Sequence, residues 1–116
     1  MCGGTRSAYW ESVASVVERA RRRHERFDPT DDAAAAAIDD GIRPIVVVYA
    51  RARRDGVTLS PVERSLLESV LNEWIATYAD CLDRSIENTY SLHEIARTCR
   101  DHGSIDEAVA AMTESG

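Results

Sequence analysis

The sequence predicts a single all-α domain: a helical bundle of five to six helices with one long central helix over about 60–86 and a C-terminal αα-hairpin. Three observations carry that expectation. Apolar residues recur at steps of three and four over most of the chain, the spacing of a buried helical face. Three Ser-x-x-Glu boxes, at Ser60-Glu63, Ser91-Glu94 and Ser104-Glu107, stand directly ahead of such runs, and in such a box serine and glutamate each satisfy a free backbone donor of the other's residue. The chain's 116 residues allow one core and no interdomain cleft.

The elements follow in order. Over 7–27, Tyr9, Trp10, Val13, Val16, Val17, Ala20 and Phe27 make one apolar face, while residues 1–6 are expected to be disordered. Asp28-Pro29-Thr30 interrupts that helix; Thr30 can cap a second one whose first turn holds Asp31 and Asp32, and the alanines 33–37 have the best helix propensity available. Gly41 is expected to close it as the residue just past the helix end. The β-branched run 45–50 reads by propensity as a buried strand. A lone strand would have no partner, and with Pro44 ahead and Gly56 behind, a short central helix is expected instead.

From Ser60 no proline except Pro61 and no glycine occurs until Gly103, so one long helix is expected to run to about residue 86. Leu67, Leu71, Trp74, Tyr78 and Cys81 form its apolar seam, widened by Leu66, Val70, Ile75 and Leu82 to about half the circumference. Four short partners would struggle to cover so wide a stripe. A homodimer through Leu67, Leu71, Trp74 and Tyr78 is therefore expected.

All 14 cations are arginine, set against 20 acids for a net charge of −6. That composition fits a GC-rich genome or adaptation to high salt. The charge is unevenly placed: residues 1–58 hold ten arginines and nine acids, residues 59–116 four arginines and eleven acids. The first half thus forms an arginine-rich set of helices over 7–56, and the second an acidic set over 60–114. Arg19, Arg22, Arg23 and Arg26 share a helical stripe, and Arg51, Arg53 and Arg54 cluster at a helix end. Together they are the candidate polyanion-binding face, since guanidinium forks match phosphate geometry. The plainer reading pairs Arg22 with Glu18 and Arg21 with Glu25 on a solvated surface, and no aromatic residue interleaves the arginines as a single-strand binder would require.

The pair of helices after Ser91 resembles a helix-turn-helix in Glu94-Ile95-Ala96-Arg97, which would imply DNA reading. It departs from that pattern in the place of Gly103, seven residues past Ala96, and in a second helix with Asp106, Glu107, Glu114 and no arginine. Met1-Cys2-Gly3 resembles the processed cysteine nucleophile of glutamine amidotransferases, a family whose layered α/β domain this chain is too short to build. Cys81, His93, Cys99 and His102 have the donor types of a structural zinc site at an unfamiliar spacing, so no metal and no cofactor is assigned. Asp31-Asp32 and Asp39-Asp40 are the paired acids, and His24 reads as a boundary residue.

No phosphate-binding loop, dinucleotide fingerprint or catalytic triad is present in the sequence. No apolar run approaches the roughly 20 residues of a membrane span, and an odd count of three cysteines fits reduced thiols, so a cytoplasmic location is expected. The expected function is that of a non-enzymatic helical interaction module, an adaptor, small subunit or regulator whose partner is a protein or a second copy. The alternative is a nucleic-acid-binding or transcription-regulatory protein using the arginine face or, failing that, the C-terminal pair; no small-molecule substrate is evident.

Overall fold

In the computed structural model, which describes residues 7–28, 32–86 and 89–114, every regular element is helical. The α-helices are α1 (Trp10–Glu25), α2 (Ala33–Ala37), α3 (Arg43–Arg54), α4 (Pro61–Cys81), α5 (Leu92–His102) and α6 (Ile105–Glu114). A π-helical turn, Ile38–Ile42, joins α2 to α3. The β-branched run 45–50 lies inside α3, with Ile45, Val46 and Val48 buried.

Gly41 does not end a helix. Both Ile38 and Arg43 keep right-handed helical dihedrals, so α2, the π-turn and α3 form one continuous rod. Glycine is needed there for another reason: a Cβ at Gly41 would stand 2.0 Å from Cδ2 of Trp74. Such a close approach of backbone and indole explains a glycine that otherwise costs about 1 kcal/mol against alanine in a helix interior. The wider turn also has a local cause. Pro44 has no N–H to offer the Asp40 carbonyl four residues back, and the ladder resets as Arg43 N–H donates to Ile38 O, five residues back. Asp39 and Asp40 consequently sit mid-rod, not at an unfavourable helix end, and Asp39 Oδ1 accepts from Arg43 Nε at 3.2 Å. Thr30 and Asp31, expected as cap and first turn, lie outside the described residues; Asp32 occupies the N-cap of α2 without a side-chain cap bond.

α4 is the spine, touching α1, α2, the π-turn, α5 and α6. Its start is as expected: Ser60 Oγ accepts from Glu63 N–H, and Glu63 Oε1 accepts from Ser60 N–H at 2.7 Å. Its end comes earlier than the expected 86. Leu82 caps it, Asp83 turns left-handed at φ +55°, Asp83 N–H donates to Asp80 O and Arg84 N–H to Ala79 O. That double bond pattern is the usual glycine-closed helix end, here made by an aspartate and so invisible to a search for glycine. Gly56 (φ +72°) closes α3 with the same pattern, through Gly56 N–H to Arg53 O and Val57 N–H to Ala52 O.

Trp74 ties the bundle together. It is fully buried, donates Nε1–H to Ala20 O of α1 at 3.1 Å, and meets His24 and Phe27 edge-on with ring centroids 5.0 and 5.4 Å apart. The loop after α4 is held by amide pairing: Asn72 Nδ2 donates to Tyr90 O, Tyr90 N–H donates to Asn72 Oδ1, and Leu92 N–H donates to Glu68 Oε2. α5 and α6 pack as the expected hairpin, opened by the Ser91–Glu94 box and by Ser104 Oγ accepting from Glu107 N–H. Arg43 Nη2 donates to Asp106 Oδ1 at 2.7 Å and so joins the rod to the hairpin.

Glu63 is a further knot. Although wholly buried, its carboxylate accepts from Ser60 N–H and, through Oε2, from Ser7 N–H at 3.0 Å, which pins the segment ahead of α1 to the start of α4. Burial alone pushes this carboxyl upward, but the hydrogen bonds from Ser60 and Ser7 outweigh it and leave it below its ordinary value.

Gly41→Ala should destabilise the fold by about 3 kcal/mol in denaturant unfolding, because the added methyl overlaps a ring that cannot retreat. The penalty should shrink in a Trp74→Leu background; a penalty unchanged there would mean that the ring is not its cause. Asp83→Gly should stabilise by about 0.5–1 kcal/mol, since glycine enters the left-handed region without Cβ strain. Glu63→Gln should cost about 1–3 kcal/mol at pH 7 by leaving a buried donor short of its acceptor. A carboxyl with a lowered folded value stabilises fully above its unfolded value of about 4.5 and loses that contribution as pH falls through the lowered one. The gap between wild type and Glu63→Gln in acid titration should therefore begin to close as pH drops below about 4.5 and not before.

Candidate anion-binding cleft

The last turns of α1 carry basic residues for a local reason, since cations are favoured where the helix dipole ends negative. Arg19, Arg22, Arg23 and Arg26 recur at steps of three and one, so all four guanidiniums emerge on one side of the helix. They line an open cleft of about 510 Å³ between α1 and the start of the rod, completed by Phe27, Ala36 and two acidic residues, Asp28 and Asp40, with the buried Trp74 behind Phe27. The cleft thus joins a cationic wall to an aromatic ring.

The guanidiniums are only lightly committed. Arg22 pairs with Glu18 at 2.8 Å, but the two side chains are 61% and 69% exposed, a setting in which such pairs contribute little. Arg23 Nη1 donates at 3.4 Å to the carbonyl of Asp40, four residues ahead of Pro44, which has no N–H to give it. Arg19 and Arg26 form no ion pair among the described residues, and the expected Arg21–Glu25 pair is not made. His24 is engaged elsewhere. The Thr77 hydroxyl donates to Glu73 O, so at 2.7 Å it accepts from His24 Nε2–H, which fixes the tautomer and anchors α1 on α4.

The second arginine cluster does not join the first. Tyr9, at the start of α1, donates its hydroxyl to Asp55, just past the end of α3, so the two helices run antiparallel. That hydrogen bond and burial push the Tyr9 phenol above its ordinary value. Arg51, Arg53 and Arg54 consequently lie about one helix length, roughly 24 Å, from the cleft. Arg53 stacks over the Tyr49 ring at 5.8 Å, and Arg51 borders a groove between α1 and α3. The expected single arginine face is therefore two separate ends.

Leu67, Leu71, Trp74 and Tyr78 are not a surface either. The first three are fully buried and Tyr78 is 6% exposed, covered by the chain's own helices. α1, the rod, α5 and α6 together cover the stripe that four short partners are expected to leave open. The large apolar side chains left exposed among the described residues, Val47, Val62 and Leu82, are scattered over α3 and the two ends of α4. A homodimer through the α4 seam loses its basis.

Cys81, His93, Cys99 and His102 are not gathered into one site, and no group of three or more His, Cys, Asp or Glu among the described residues could hold a metal ion. Burial pushes both the Cys81 and Cys99 thiols up, reinforced at Cys81 by Asp80 and opposed at Cys99 by Arg43, so neither is an activated nucleophile. Cys2 lies outside the described residues. In α6, Asp106 is tied to Arg43 and Ala108, Val109 and Thr113 are buried, so the helix-turn-helix resemblance yields a packed hairpin with an acidic rim. No helix among the described residues is long and apolar enough to cross a membrane.

Sequence reasoning named the four arginines but missed Phe27, Asp28, Ala36 and Asp40 as their companions. The available signal was the step of one from Arg26 to Phe27, an aromatic placed at the close of the basic stripe. Comparison with curated proteins finds no match, and comparison with solved structures finds none. The family described as a domain of unknown function, DUF8055, matches residues 7–115, nearly the whole chain, and the protein belongs to that family.

Proposed function

We propose that this protein is a non-enzymatic helical interaction module, an adaptor, small subunit or regulator, that docks a phosphate-bearing polyanion in the arginine cleft of α1. One observation carries the reading: four guanidiniums with weak or no intramolecular partners line one wall of a concavity that also holds Phe27, and they outnumber its two acidic residues, Asp28 and Asp40. Single-stranded nucleic acid suits that chemistry best. Arg19, Arg23 and Arg26 supply forks for successive phosphates, and Phe27 supplies the ring face for a base that the linear order of the arginines lacked. The net charge of −6 favours a local contact over a broad one: the acidic C-terminal half repels a long polyanion and confines it to the α1 end.

The test is fluorescence anisotropy with a short single-stranded RNA, against a polyglutamate peptide of equal charge. The RNA should bind, with log K falling against log salt at a slope of about −2 for three neutralised phosphates. Arg19→Glu with Arg23→Glu should abolish that binding without lowering the melting temperature, and Phe27→Leu should weaken it about tenfold. RNA binding indifferent to the arginine reversals would overturn the reading. Preference for polyglutamate would move the partner to an acidic protein surface.

A further inference from the structure

A second cleft, about 340 Å³, opens between α3 and the α5–α6 hairpin and shares no residue with the arginine cleft. Its walls are mostly apolar: Val46 and Ala50 from α3, Ala96 and Cys99 from α5, Gly103 at the turn and Ile105 from α6. Alanine on both facing helices leaves a hollow where larger side chains would have met. Two guanidiniums, Arg53 and Arg100, also line it; both are exposed and neither forms an ion pair among the described residues, Arg53 lying over the Tyr49 ring. Ser104 and Ile105 at the start of α6 line it too, with Asp106 held away in its pair with Arg43.

We propose that this cleft binds a small amphipathic carboxylate, with an apolar tail of several carbons against Ala50, Ala96, Cys99 and Ile105 and its carboxylate between Arg53 and Arg100. The volume is on the scale of small-ligand sites, about 300–1,000 Å³. A partner helix would need a continuous strip of anchors over two or more turns, and this concavity is a single hollow. A neutral apolar ligand would gain nothing from the two guanidiniums. A bare phosphate would leave the apolar walls wet. Only a ligand that combines a tail with a planar anion uses both halves of the site, because a guanidinium fork matches a carboxylate in two parallel hydrogen bonds.

Cys99 provides a built-in reporter, since its thiol is part of the wall while Cys81 is not. The full-length protein is alkylated with iodoacetamide at mildly alkaline pH in the presence of decanoate, decanol or inorganic phosphate, and labelling is read peptide by peptide in the mass spectrometer. Decanoate should slow Cys99 alkylation severalfold and leave Cys81 unchanged, with decanol at least about tenfold weaker and phosphate without effect. Arg53→Gln with Arg100→Gln should weaken decanoate protection about tenfold at an unaltered melting temperature, and Ala96→Leu should remove it by filling the hollow. Undiminished Cys99 labelling in saturating decanoate, equal slowing of Cys81, or equal protection by decanol would each overturn the proposal. RNA binding at the α1 cleft should be unaffected by these substitutions, so the two sites succeed or fail separately.

Discussion

The closeness of Trp74 to Gly41 is the constraint on which the remaining structure depends. An indole laid on helix backbone leaves no room for a side chain beneath it, and it is the same ring that takes Ala20 O as acceptor and meets His24 and Phe27 edge-on. One residue of α4 thereby fixes where α1 and the rod must lie. Truncating such a side chain to alanine removes about 3–5 kcal/mol, a large share of what a domain of this size possesses. The π-turn belongs to the same constraint: Pro44 prevents a regular ladder through Asp40, and the widened turn places Gly41 against the ring.

That arrangement also makes the arginine cleft. Phe27 is held at its base by the edge contact with Trp74, and the Asp40 carbonyl, denied its usual donor four residues on by Pro44, receives Arg23. The irregularity that admits the indole is thus the irregularity that positions a guanidinium. Binding surfaces commonly sit where a rigid core meets an interruption in regular structure, because the interruption frees backbone groups that a regular helix would consume.

Polar groups at the seams decide which helices stay together. Glu63, Asn72 and Arg43 each bridge segments far apart in sequence: Ser7 to Ser60, Glu68 to Tyr90, and Asp39 to Asp106. Each side chain reaches both of its partners at hydrogen-bond distance, and no buried side-chain polar atom among the described residues is left without a partner. Matched networks of this kind specify one packing among several that apolar contacts alone would permit.

The sequence by itself determined the helices. Periodicity in 60–81, three Ser-x-x-Glu boxes and the closing glycines 56 and 103 are local signals, and each is written within a turn or two of the element it governs. Where a local signal had two meanings, only tertiary structure decided. Glycine at 41 stands equally for a helix end or for close packing, and Trp74, thirty-three residues away, settles it as packing. Asp83 ends α4 in a conformation that its residue type does not announce. The width of the α4 stripe suggested a second copy, yet coverage depends on how many helices reach it, a non-local quantity. The four α1 arginines were legible as a stripe because they share one helix; their separation from Arg51, Arg53 and Arg54 was not, because the direction in which α3 returns is set by the Tyr9–Asp55 contact and the shared core.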